Sequence, residues 1–186
     1  DFYKPTIVSE FSYKIFEHNQ KFYRIQLWDL AGQDNNTYIT KLFCRECLGA
    51  LVLCEAKNQK SLEDTLRWKK CLEESMSAES LENLPIILLE NKADLFQEDE
   101  EDKHLKSFQE FCRTNGFSAG FFTSAKTGQN VNKSMDFIIN WIIENLKRKN
   151  FFSPENQAAT KRPRSSMILN FQNEESDKKK KNACCG

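Results

Sequence analysis

The sequence predicts an α/β fold: a mostly parallel sheet with helices on both faces, one antiparallel hairpin at its start, and a disordered tail. Three observations lead there. Two extended runs meet at a short polar turn. From residue 49 onward, short apolar strands alternate with amphipathic helices. Beyond Leu146 the periodicity gives way to Pro, Ser, Asn and charge.

Taken in order, FSYKIFEH (11–18) and KFYRIQLWD (21–29) flank Asn19 and Gln20 as a hairpin would. In the second run Tyr23, Ile25 and Leu27 share one side of a strand, and Phe22, Arg24, Gln26 and Trp28 the other. GALVLCEA (49–56) and PIILLEN (85–91) are the continuous apolar runs of buried parallel strands, and GFFTS (120–124) is strand-like. SLEDTLRWKKCLEES (61–75) and KHLKSFQEFCRTNG (103–116) are helical, with Gly116 just past the end of the second. The acidic QEDEED (97–102) reads as a solvated loop before that helix. The clearest helix carries Val131, Met135, Ile138, Ile139, Ile142, Ile143 and Leu146 at i, i+3, i+4 spacing. A domain over residues 1–148 and a tail over 149–186 are expected, without internal repeats.

A chain of 186 residues suits one such domain plus a tail. Its longest apolar stretches, FIINWIIE (137–144) and LGALVLCEA (48–56), fall well short of the ~20 residues that span a bilayer. Neither a membrane-crossing segment nor a signal peptide is expected. Net charge is zero, yet residues 147–186 hold ten Lys/Arg against four Asp/Glu, and the remainder holds 17 against 23. An acidic body with a basic tail points to contact with nucleic acid or an anionic membrane. The seven cysteines form no disulfide framework and read as reduced thiols. Cys44-x-x-Cys47 lacks a second metal half-site, and His18 and His104 stand isolated, so ordinary burial is preferred to zinc. NNT (35–37) and NKS (132–134) are glycosylation sequons only formally in a cytosolic chain.

In sheets of this kind ligands bind outside the carboxyl ends of the strands. Residues 29–33, 91–94 and 124–126 lie at such ends. Asp29 alone reads as a turn residue, and NKAD alone is weak. The ordered set YKPTI (3–7), WDLAGQ (28–33), NKAD (91–94) and TSAK (123–126) is specific. On these motifs the chain resembles a Rab-family small GTPase of the Ras superfamily across nearly all of residues 1–148. The resemblance implies a P-loop NTPase-like three-layer sandwich that binds GTP or GDP with Mg²⁺. It implies that Asp94 accepts the N1 and N2 donors of guanine, an edge adenine lacks; sites of that kind reject the wrong base by ~10⁴-fold. Asn91 is expected to brace the pocket, Lys92 to lie along the purine, and the Ala125 N–H to meet guanine O6, supported by Ser124 and Lys126. Thr6 and Asp29 match the Mg²⁺ ligands, the Gly32 N–H the γ-phosphate contact, and Gln33 the catalytic residue that orients the attacking water. Phe11, Trp28 and Phe43 match an exposed aromatic triad on which effectors dock; on the residues alone, core burial is the competing reading.

The chain ends ACCG, so neither Cys184 nor Cys185 sits in a CaaX box. The paired cysteines resemble Rab tails that receive two geranylgeranyl groups. Two lipids, or one with basic residues, anchor stably where one alone is marginal. Lys178 to Lys181 would add attraction to an anionic leaflet; the run by itself reads as a solvated run or a nuclear address, and the neighbouring CCG turns the reading to membrane. The implied partners are an escort protein and dissociation inhibitor, exchange factors, activating proteins and effectors, with no nucleic acid. The implied location is the cytoplasmic face of intracellular membranes, cycling with cytosol. Val8 replaces a usual glycine, and Asp34, Asn35 and Asn36 a usual Glu-Arg-aromatic, so the switch regions depart from the pattern. Leu30, RWKKCLEE and LPIILLENKADL resemble the branch serving lysosome-related organelles.

The family also carries a P-loop, G-x-x-x-x-G-K-[ST], on a central strand ahead of switch I, and these residues contain none. The expectation is therefore a split sheet with unpaired edges, in a chain that by itself neither folds stably nor binds GTP tightly. Two readings stand open: a GTP-binding and GTP-hydrolysing Rab switch in vesicle-mediated membrane traffic, present here as a fragment, or a non-catalytic Rab-like protein that binds partners independently of nucleotide. A nuclear basic-tail protein is a distant third.

Overall fold

The computed structural model describes residues 9–31, 37–45 and 47–151. Thr6, Val8, Gly32, Gln33, residues 34–36, Cys184, Cys185 and the rest of the tail from residue 152 lie outside that set. The chain divides into two compact units, one containing the hairpin and the other beginning at Gln33.

In the first unit, β1 (Ser9–His18) pairs antiparallel with β2 (Lys21–Leu30), in register from His18 opposite Lys21 to Ser9 opposite Leu30. Asn19 and Gln20 both adopt left-handed backbone, φ 51° and 61°. Positive φ at both central residues defines the type I′ turn, whose twist matches that of the strands it joins. The alternation expected in β2 holds: Tyr23 and Ile25 are buried, while Phe22 and Trp28 are exposed.

In the second unit, β3 (Ala50–Glu55), β4 (Ile86–Asn91) and β5 (Ala119–Phe122) form a parallel sheet in the order β3-β4-β5. The central strand is buried along Ile86–Glu90, which is why it reads as an unbroken apolar run. Both connections advance in the same direction across the sheet. Right-handed crossovers therefore place α2 (Gln59–Ser75) and α4 (Glu98–Thr114) on one face. On that face Phe108 of α4 packs against Phe122, with ring centroids 4.8 Å apart. α5 (Val131–Arg148) covers the other face, where Phe137 meets Phe121 edge-on. Ile138, Ile139, Ile142, Ile143 and Leu146 are buried as their spacing requires, whereas Val131 in the first turn is exposed. Among the described residues β3 pairs only with β4.

Two short helices escape the sequence reading: α1 (Thr37–Cys44), tied to α2 by Lys41–Glu74, and α3 (Ala78–Leu81). The acidic run at 97–102 is corrected from loop to helix, because α4 begins at Glu98. Carboxylates are favoured in a first turn by the positive end of the helix dipole. The stop of α4 is as expected. Gly116, at φ 67°, turns the chain left-handed; its N–H donates to Arg113 O and that of Phe117 to Cys112 O at 2.9 Å. α5 stops in the same way at Asn150, with the Phe151 N–H donating to Leu146 O.

Candidate functional site

The ends of β4 and β5 build the site. After Asn91, Lys92 takes left-handed backbone at φ 65°, and Ala93–Leu95 form a single tight turn that presents Asp94. The two strand-end loops are stitched together: the Ala93 N–H donates to Thr123 O, and the Thr123 N–H to Glu90 O, both at 2.9 Å. Asn91 Oδ1 accepts from the Ala125 N–H at 3.0 Å, which ties the β4 end to the loop after β5. The Ser124 hydroxyl donates to Asp94 Oδ1 at 2.6 Å and accepts from the Thr127 N–H at 3.2 Å. Lys126 Nζ lies 3.7 Å from Asp94 Oδ2. These contacts surround a cavity of about 300 Å³ lined by Asn91, Lys92, Asp94, Leu95, Ala125 and Lys126. That is the low end for a small-molecule site, a volume suited to one aromatic base.

The cavity's chemistry is polarised. The Ser124 hydroxyl, with smaller help from Lys126, holds the Asp94 carboxyl below the usual carboxylate range, so the ionised acceptor form is favoured. Asp94 is only partly buried, its side chain retaining 16% exposure, so the carboxylate reaches the cavity instead of being sealed beneath it. The Ala125 N–H, expected to meet guanine O6, is engaged by Asn91. Lys92 Nζ bonds to Glu55 Oε1 at 2.6 Å. Glu55 and Leu95 are the site residues that sequence reasoning missed.

His104, isolated in sequence, is not isolated in the fold. Its Nε2 lies 3.0 and 3.1 Å from the two carboxylate oxygens of Glu90, directly behind Asn91. Burial pushes the Glu90 carboxyl up, against the opposing pull of His104. A carboxyl whose folded pKa is raised contributes stability that is full below its unfolded value, about 4.5, and is lost as pH rises through the raised value. Glu90→Gln keeps the shape and an acceptor for His104 without the buried charge. It is expected to raise stability at pH 7 by ~1 kcal/mol, roughly 2–4 °C in melting midpoint, and to flatten the pH profile above 4.5. Parallel melts from pH 4 to 8 check this; superimposable profiles would overturn it.

The other predicted residues divide between the units. Phe11 and Trp28 are opposite one another in the hairpin register, ring centroids 4.9 Å apart, and both exposed. Tyr13, Ile15 and Phe22 extend the same exposed face, a row the period-two spacing of the strand could have disclosed. Phe43 lies on α1 in the second unit. Asp29 is exposed near the end of β2. Among the described residues no group of three or more His, Cys, Asp or Glu is placed to hold a metal ion. The donor chemistry suits Mg²⁺ nonetheless, because that ion is held by one or two protein oxygens together with substrate phosphates. The described cysteines are free thiols; burial pushes Cys47 and Cys54 up to about 12 and Cys44 and Cys112 to about 11, which keeps them unreactive at neutral pH. Among the described residues no helix is long and apolar enough to cross a membrane.

The Ras family model matches residues 1–144. This chain belongs to the Ras family. Within it, the relatives are Rab proteins. The chain is 32% identical to Ras-related protein Rab-32A of Dictyostelium discoideum over 150 residues, 80% of this chain and 68% of that one. It is 29% identical to Rab-32 of Sus scrofa over 184 residues, 98% of this chain and 76% of that one. It is 30% identical to Rab-7L1 of Homo sapiens over 148 residues, 77% and 70% of the respective chains. The Rab family thus supplies the frame in which a base-sized cavity built from NKAD and TSAK is to be read, and the Rab-32 likeness fits the branch that Leu30 and its companion segments resemble.

Proposed function

We propose that this Rab-like GTPase is a guanine-nucleotide switch acting in vesicle-mediated membrane traffic, and that the cavity between NKAD and TSAK is its base site. The observation that carries the reading is the Asp94 carboxylate, ionised, steadied by Ser124 and Lys126, and facing a cavity walled by Lys92. Its two oxygens are acceptors for paired N–H donors, the edge guanine presents and adenine does not. Asn91 fixes the loop that carries Ala125, whose N–H serves guanine O6 once released or shared.

At the phosphate end, the Gly32 N–H would meet the γ-phosphate, Gln33 would orient the attacking water, and Thr6 and Asp29 would offer oxygen atoms to Mg²⁺, Asp29 through water. Bound with the nucleotide, Mg²⁺ neutralises charge on the phosphates. Hydrolysis by the chain's own residues is slow, since Gln33 positions water but no arginine enters without an activating protein. Residues 1–148 form the switch domain, and 149–186 the tail that Cys184 and Cys185 anchor to the cytoplasmic face of a membrane through prenyl groups. Effectors are expected to read Phe11 and Trp28 in the hairpin unit and Phe43 in the second unit.

The test begins with the 5′ end of the intact transcript, which defines the encoded protein and whether a phosphate-binding loop is part of it. That protein is titrated with fluorescent GDP, and the mass of its C-terminal peptide is read from cells. Displacement by GDP and GTP but not ADP or ATP, with a doubly prenylated peptide, is expected. A protein that carries the loop yet shows no guanine preference overturns the reading. Translation beginning near Asp1, with partner capture indifferent to nucleotide, favours the non-catalytic alternative.

A further inference from the structure

We infer that Glu55 is a positioning residue of the base site: it pins the Lys92 ammonium so that the lysine stem stands as a wall of the cavity, and it ties that wall to the N-terminus of α2. The inference rests on the reading of this cavity as the guanine site.

Glu55 ends β3 and is aligned with Asn91 at the end of β4, where the Ala56 N–H donates to Asn91 O at 2.8 Å. Its carboxylate is shared. Oε1 takes Lys92 Nζ at 2.6 Å, and Oε2 takes Asn58 Nδ2 at 3.0 Å. Asn58 is the N-cap of α2, its Oδ1 accepting from the Ser61 N–H at 3.1 Å. The Glu55 N–H closes the circuit by donating to Ser61 Oγ at 3.0 Å. One carboxylate thus joins the cavity lysine to the capping asparagine of α2.

Two features argue that this junction positions Lys92 more than it stabilises the fold. The ion pair is exposed, 55% at Lys92 and 39% at Glu55, and water-screened pairs of that kind contribute little to stability. Lys92 also holds left-handed backbone, which a non-glycine residue adopts at a cost and which gathers at functional sites. That backbone aims the side chain from the β4 end toward Glu55 while its stem lines the cavity. The ionised Glu55 carboxylate is favoured first by the Lys92 bond and then by Asn58.

The experiment uses the encoded protein as wild type, Glu55→Gln and Glu55→Ala. Fluorescent GDP should dissociate about 3- to 5-fold faster from both variants, the scale of an exposed ion pair. At ~1 M salt, which weakens solvent-exposed ion pairs, the wild-type rate should approach theirs, a response that a purely structural defect does not produce. Melting midpoints report folding alongside. A second arm needs no nucleotide: acylation of the Lys92 amine, followed by mass spectrometry, should be several-fold faster once Glu55 no longer shields it. Equal dissociation rates in a protein that binds GDP overturn the inference, as do equal Lys92 labelling rates. Absence of GDP binding overturns the guanine reading, and the labelling arm still decides whether Glu55 holds Lys92.

Discussion

Asp94→Asn is expected to weaken GDP binding on the order of 10⁴-fold while the fold stays intact. The carboxylate oxygens are already committed to geometry: Ser124 holds Oδ1 at 2.6 Å, and Lys126 approaches Oδ2 at 3.7 Å. What remains of their acceptor capacity faces the cavity. An amide in the same place turns one acceptor into an N–H₂ donor, which opposes the guanine 2-amino group and leaves both unpaired. Leaving a donor unmatched at such a site costs more than the bond itself was worth. Xanthine carries an oxygen where guanine carries that amine, so the variant should bind xanthosine diphosphate better than GDP. Competition of fluorescent GDP by GDP and xanthosine diphosphate, on wild type and variant, measures both effects. Unchanged GDP affinity in the variant would remove Asp94 from base recognition altogether.

Phe108→Ala is expected to destabilise the second unit by ~3–5 kcal/mol, the range for truncating a fully buried aromatic. Phe108 is 1% exposed, packs on Phe122 and stacks at 25° to His104 with ring centroids 6.4 Å apart. The strand beside it leaves no slack. A Cβ on Gly120 would come within 2.7 Å of the Phe108 ring and 2.5 Å of Cys112 Sγ, so the glycine exists to let α4 sit this close. Because Phe122 is followed at once by the TSAK loop, the loss of packing should loosen the cavity beside Asp94 as well. Urea midpoints give the stability change, and Phe108→Leu should recover most of it. A change below ~1 kcal/mol for Phe108→Ala would mean that α4 is not anchored there.

How much of this was legible in the sequence depends on what kind of contact defines each feature. α5 and β4 were readable because burial writes apolar residues at a fixed period, as Ile138, Ile142 and the run Ile86–Leu89 do. α1 was not. Its opening TYIT is rich in β-branched and aromatic residues, which local preference assigns to strands, and packing on α2 overrides that preference. The acidic start of α4 looked like solvent-facing loop because charge marks both. Around the cavity, Asn91, Asp94, Ser124, Ala125 and Lys126 were found by motif, and the structure brings them together. Glu55 could not be found in that way: its bond to Lys92 spans 37 residues of sequence and belongs to no short pattern. The Glu90–His104 pair was hidden for the same reason, since nothing in a lone histidine announces a carboxylate on the neighbouring strand.

The turn at Asn19 and Gln20 governs more than the bend. It sets the phase of the whole hairpin. Side chains on paired strands alternate between faces, so a single added or deleted residue at the tip would move Tyr23 and Ile25 outward and carry Phe22 and Trp28 inward. Phe11 would then face a different neighbour, and the exposed aromatic pair would dissolve without any aromatic having been touched. Two polar residues at the far end of the hairpin thus decide which surface this protein shows.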